Sequence, residues 1–241
     1  MNAALLLLAD SRLPAGGHGH SGGAEEAVRI GAIRDLAGLA AFLRGRLATA
    51  GLVTAALAAA ACDLGASPAA ATGRSEWTRL DAEADARISA PAQREASRTQ
   101  GRLLLRTSRR IWPSPVLDTL AGALPQGAHH PLALGAVAAV AGCSPAEAAL
   151  AAAYTSVTGP ATAAVRLLGL DPVAVHRLLA DLAPAVERAA ATVPTGWEAR
   201  GEAGWEARWE SCWEALPAHA SPALDLLAEH HIRADMRLFV S

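Results

Sequence analysis

The chain has 241 residues, 52% hydrophobic but only 4% aromatic, with a formal net charge of −2 and arginine as its one strongly basic residue type. This length can bury a substantial core, and the near-neutral charge gives no electrostatic footprint for nucleic acid. Without lysine the chain cannot complete a Walker A phosphate loop.

Alanine dominates the apolar residues, and Val and Ile never gather into alternating runs, so closely packed helices are expected. The predicted helices are 2–9, 24–31, 35–62, 76–88, 91–110, 115–123, 130–141, 145–157, 160–168, 172–192, 197–215 and 222–232. Five start signals support them: Ser67-Pro68, Ser114-Pro115, Ser144-Pro145, Asp171-Pro172 and Ser221-Pro222 each place a capping side chain before a proline. Glu147 completes a capping box with Ser144. Segment 35–62 is one helix or two, since Gly45 and Gly51 weaken its middle. The expected architecture is a single all-α domain over 1–241, a bundle of about ten helices. Residues 1–23 are expected to form a flexible N-terminal segment, and Gly65–Ser75 a surface loop.

The apolar Leu5–Leu8 run lacks a basic flank and soon meets Asp10 and Arg12, which makes a poor signal peptide. The charge-free runs Leu47–Cys62 and Ala148–Val165 make poor membrane spans, the first being short and the second broken at Gly159-Pro160. Cys62, Cys143 and Cys212 form neither a disulfide framework nor a zinc pattern. A cytoplasmic protein without membrane attachment is expected.

The loop Leu13 to Glu25 (LPAGGHGHSGGAE) is too rich in glycine to be a mere connection, because ordering it costs unusual entropy. No strand precedes it, so it is not a dinucleotide fingerprint. Glu25 and Glu26 already occupy the positive end of the following helix, which disfavours an anion there. His18 and His20 could chelate a metal weakly, but no local Cys, Asp or Glu completes a closed site. His129-His130 reads as a helix start on the surface, and His230-His231 receives the same reading. No His-Glu-x-x-His or Cys-x-x-Cys pattern supplies hydrolytic or redox chemistry. Neither catalytic residues nor a cofactor is expected; the alternative is a helical metalloprotein or metallohydrolase built on His18, His20, His129 and His130.

In 91–106, Ser97, Gly101, Leu104 and Leu105 share one helix side, where small residues admit a close neighbour. The eight-residue Trp/Glu repeat at 196–211 places Trp205, Trp209 and Trp213 on one side and Glu202, Glu206, Glu210 and Glu214 beside them. The tail Arg233 to Ser241 carries one of only two phenylalanines, Phe239. Since chain ends fray unless held, it docks either on its own bundle or on another subunit.

Taken in order, these motifs resemble the urease accessory protein UreF family in its actinobacterial form. The resemblance rests on Leu13 to Glu25, on Pro91, Arg94, Ser97, Gly101 and Leu104, on His130, Pro131, Ala133 and Gly135, on Ala163 to Leu167, and on Arg237 to Ser241. Where the family often carries an aromatic pair in the first loop, this chain has His18 and His20, and a usual His-Glu pair reads His231-Ile232. The resemblance implies an all-α, dimer-forming assembly factor without catalysis of its own, serving nickel insertion into the urease apoprotein. It further implies bridging of the UreD/UreH scaffold and the UreG GTPase, with the first loop and the tail as partner-contact elements. The partner-contact residues it points to are Gly17, His18, His20, Ser21, Glu25, Arg94, Ser97, Arg166, His231, Arg233, Arg237 and Phe239. Arg166, an isolated charge in an apolar stretch, is the residue expected to tune communication with the GTPase; otherwise it is a snorkelling arginine.

Overall fold

Three alanine-rich helices lie at the centre of the computed structural model, which describes residues 2–10, 12–192 and 213–240. The helices in chain order are α1 (Ala3–Ala9), α2 (Ala24–Arg29), α3 (Leu36–Arg46), α4 (Leu52–Ala66), α5 (Arg74–Arg87), α6 (Pro91–Ile111) and α7 (Pro115–Ala123). They continue as α8 (His130–Val140), α9 (Pro145–Leu168), α10 (Pro172–Ala191) and α11 (Pro222–His231). No strand occurs among the described residues. The central three are α4, α8 and α9, each packed on the other two, with α4 most heavily engaged. Alanine lets their backbones approach closely, and Gly135 of α8 shows how closely: a Cβ there would lie 2.2 Å from the Ala58 carbonyl oxygen of α4. The buried apolar residues form one contiguous cluster that runs through these helices.

Local signals set most helix starts. Ser114 and Asp171 cap α7 and α10, and Ser144 and Glu147 form the expected capping box on α9. Ser221 makes no side-chain cap bond, and Ser67-Pro68 opens a short 3-10 turn rather than an α-helix. The start of α6 is capped from a distance, by Glu229 of α11, whose carboxylate accepts from the Ala92 amide at 2.9 Å. The Gly65–Ser75 loop is tied down as well: the Ala70 carbonyl accepts from Trp77 Nε1 at 3.1 Å and that of Ala71 from Thr119 Oγ1 at 2.6 Å.

One expectation changes, and one open alternative is decided. The predicted break at Gly159-Pro160 does not occur, and α9 runs unbroken through Pro160. Proline deprives the Ser156 carbonyl of its helical donor, and Arg46 Nε supplies another at 2.9 Å. The predicted segment 35–62 is one helical run in which a wide π-type turn, Leu47–Gly51, joins α3 to α4. That run, Leu36–Ala66, is long and apolar enough to cross a membrane, yet 67% of its most apolar window is buried within the bundle, as expected of a core helix.

Within the N-terminal segment, α1 packs on α9 and α8 through buried Leu5 and Leu8. Asn2 fastens it, donating from its amide to Glu147 Oε1 at 2.8 Å and from Nδ2 to the Ala141 carbonyl at 2.9 Å. Cys62 and Cys143 are buried, free thiols, and burial, with Cys143 adding to it, pushes Cys62 up to about 12. The predicted helix 197–215 and its Trp/Glu repeat lie outside the described residues except for their last members. Of these, Trp213 is buried, and its carbonyl accepts from Arg87 Nη2 at 2.8 Å.

Candidate functional site

The glycine loop and the C-terminal tail meet. After α1 the chain crosses α6, where Thr107 Oγ1 donates to the Pro14 carbonyl at 2.8 Å, and makes a tight turn at Gly17–Gly19. It enters α2 through Gly22 and Gly23, at φ +58° and +91°. These are left-handed values that side chains larger than glycine resist. Ser21 is fully buried, and its hydroxyl accepts from the Glu25 amide at 3.3 Å.

Glu25, in the first turn of α2, receives the tail. Its two carboxylate oxygens accept from the Leu238 amide at 2.7 Å and the Phe239 amide at 3.1 Å. One residue on, the Val240 amide donates to the Gly19 carbonyl at 2.7 Å. His231, buried at the end of α11, lies with Nε2 3.3 Å from the Phe239 carbonyl and 3.7 Å from Glu25. Phe239 is buried, with the Arg166 guanidinium 4.9 Å over its ring, a cation–π geometry. Arg166 Nη1 also reaches the His18 carbonyl at 3.5 Å.

Along the tail Phe239 points in, while Leu238 and Val240 stand 75% and 57% exposed and Met236, before them, 90%. Arg233 and Arg237 are exposed at the ends of the turn that leads into it.

His18 is exposed at the loop tip, whereas His20 is buried below it, facing a cavity of about 480 Å³ that His130, Arg46 and Gln100 also line. Burial, reinforced by His18, pushes His20 down to about 4, and burial with His20 does the same to His130. Both rings are therefore neutral at physiological pH.

Of the expected partner-contact residues, Gly17, His18, His20, Ser21, Glu25, Arg166, His231 and Phe239 converge on this clasp. Arg94 and Ser97 do not. Arg94 Nε donates to the Ile88 carbonyl at 2.7 Å, securing the link between α5 and α6. Ser97 belongs to a network around His129, which corrects the expectation of a surface position: His129 is fully buried. Ser97 Oγ accepts from the His130 amide at 3.1 Å, so its hydroxyl proton is available to His129 Nδ1, also 3.1 Å away. That assigns the ring proton to Nε2, which donates to Asp85 at 2.8 Å. Burial lowers the His129 pKa, and the Asp85 bond offsets only part of that. For Asp85 burial acts upward, but the His129 bond and the Arg98 charge outweigh it and hold the carboxyl below its usual range.

Asp81, Asp85 and His129 are the one group among the described residues with ligand atoms close enough to share a metal ion. The cation position there is filled by Arg98, whose Nη2 lies 2.7 Å from Asp81 and 2.8 Å from Asp85, with Nη1 donating to the Gly127 carbonyl at 2.8 Å. A divalent ion would have to displace a guanidinium already bonded on three sides. The arrangement suits an ionic lock between α5, α6 and the start of α8 better than a metal centre. His18, His20, His129 and His130 do not assemble into one ligand set.

Sequence reasoning missed Arg46 and Arg98. For Arg46 a signal existed, since a proline inside an apolar helix leaves a carbonyl that needs a donor. For Arg98 the only hint was an Asp81/Asp85 pair at helical spacing.

The fold and site define an all-helical protein whose two chain ends close into a single composite surface made mainly of backbone bonds and one aromatic anchor. Residues 33–183 match the UreF family profile. Over 239 residues, 99% of this chain and 98% of the relative, the sequence is 46% identical to a urease accessory protein UreF of Mycolicibacterium vanbaalenii. It is 45% identical to one from Mycobacterium sp. strain JLS (98% and 97% covered) and 40% identical to one from Mycobacterium tuberculosis H37Rv (99% and 98%). The chain belongs to the UreF family. It is thus a urease maturation factor and not itself an enzyme.

Proposed function

We propose that this protein is a cytoplasmic adaptor in nickel insertion, bridging a UreD/UreH-type scaffold and a UreG-type GTPase so that GTP hydrolysis is coupled to nickel delivery into the urease apoprotein. It works as a homodimer of a single-domain chain, and the loop–tail clasp is its scaffold-facing surface. One observation carries this reading: Glu25 holds the tail by its backbone, leaving Met236, Leu238 and Val240 projecting outward. Apolar side chains held out on an ordered segment are what a partner groove buries. Arg166, stacked on Phe239 and touching the loop, links that surface to α9 and suits a role in signalling to the GTPase.

Co-purification tests the assignment. Glu25→Gln weakens the acceptor that holds two tail amides, and truncation from Arg233 onward removes the tail. The expected result is weaker capture of the scaffold protein by the first variant and almost none by the second, with helical content retained. Undiminished capture by the truncated form contradicts the assignment of the tail, and elution of the free protein at monomer mass contradicts the dimer.

A further inference from the structure

The glycine loop does not hold its position alone. Its Gly22 carbonyl accepts from Arg46 Nη1 at 2.8 Å, while Nε of the same guanidinium donates to the Ser156 carbonyl at 2.9 Å. The second acceptor exists because Pro160 lacks an amide proton. The surroundings are shaped for this fork. The wide turn of Leu47–Gly51 begins directly after Arg46, and a Cβ at Gly51 would lie 3.0 Å from Ser156 Oγ. A Cβ at Gly22 would lie 3.0 Å from Pro160 Cγ and 3.1 Å from the Arg46 guanidinium. Loop, proline and arginine are thus in direct contact. A planar guanidinium suits the task because its donors diverge at fixed angles, so that one side chain can tie two carbonyls from different elements. Burial pulls Arg46 down to about 10, which still leaves it charged at neutral pH.

We propose that Arg46 is a positioning residue for urease maturation: it uses the carbonyl freed by Pro160 as a fixed post and ties the Gly22 end of the recognition loop to it. Through Gly19, which accepts from Val240, the same tether sets where the tail lies. This rests on the loop–tail clasp being the partner surface.

The test separates the two bonds. In Arg46→Met both are lost; adding Pro160→Ala returns an amide donor to the Ser156 carbonyl, so α9 is repaired while Gly22 stays untethered. Full-length Arg46→Met, Pro160→Ala and the double variant are compared with the parent by thermal melting, by hydrogen exchange at the Gly19, His20 and Val240 amides, and by capture of the UreD/UreH-type scaffold. The expected result is that the double variant regains the melting temperature lost in Arg46→Met, yet exchanges at those amides about tenfold or more faster than Pro160→Ala and captures less scaffold. Exchange that returns to the Pro160→Ala level overturns the proposal, because Arg46 would then serve only the helix. Fast exchange with undiminished capture upholds the tether and instead refutes the clasp as the partner surface. If Arg46→Met does not fold, the comparison of the double variant with Pro160→Ala decides alone.

Discussion

His20 and His130 face a common cavity as neutral rings, each pushed from 6.5 to about 4. A histidine whose pKa is lower folded than unfolded releases its proton on folding, so its contribution to stability is complete above the unfolded value. It is lost progressively as pH falls from about 6.5 toward 4, at up to about 1.4 kcal/mol per pH unit for each ring. The melting temperature is therefore expected to stay flat above pH 7 and to drop steadily below 6.5, with a shallower drop in His20→Gln. A melting temperature constant down to pH 5 contradicts this, as does an unchanged slope in the variant. Glu26, held low by its Arg29 bond, acts in the same direction but in a lower window, below the ordinary carboxylate value. The sequence showed that His20 stands where relatives often carry an aromatic residue; it could not show the ring to be buried, because the cavity is made by α3, α6, α8 and α9 together. His18, two residues away, has the same local context and lies in solvent.

At the scale of elements, the caps were the most legible feature. Ser114, Ser144 and Asp171 act within their own first turns, so a few neighbouring residues determine the outcome. Pro160 was misread for the opposite reason: what decides whether a helix survives a proline is the donor that reaches the freed carbonyl, and Arg46 comes from more than a hundred positions away. His129 was misread likewise, since its burial depends on Arg98, Asp81 and Asp85 on two other helices. The small-residue side of α6 was read correctly as a place of close approach. A Cβ at Gly101 would lie 2.1 Å from the Ala128 carbonyl oxygen and 2.9 Å from the His129 carbonyl carbon, against backbone that cannot step aside cheaply. Gly101→Ala is expected to cost about 1–3 kcal/mol or more, seen as a lower melting temperature by calorimetry, and to perturb the His129 imidazole resonances. A variant as stable as the parent contradicts the described packing.

Over the whole molecule, the first and last family motifs of the sequence prove to be one object. Linear order places Leu13 to Glu25 and Arg237 to Ser241 at opposite ends of the chain, and nothing local to either says that Glu25 will accept the amides of Leu238 and Phe239. The sequence leaves open whether the tail docks on its own bundle or on another subunit; the structure places it on its own loop, with Phe239 turned inward and Leu238 and Val240 outward. That arrangement makes a demanding test possible, because Leu238 and Val240 are exposed and can be changed without disturbing the clasp. The decisive measurement is urease activity in cells whose only copy of this protein carries Leu238→Ser and Val240→Ser, scored beside the melting temperature of the purified variant. The expected result is an unchanged melting temperature with urease activation reduced about tenfold or more, the order expected when contacts worth about 1.4 kcal/mol or more are lost. Full activation by that variant would contradict the claim that the outward face of the tail is where the maturation machinery takes hold.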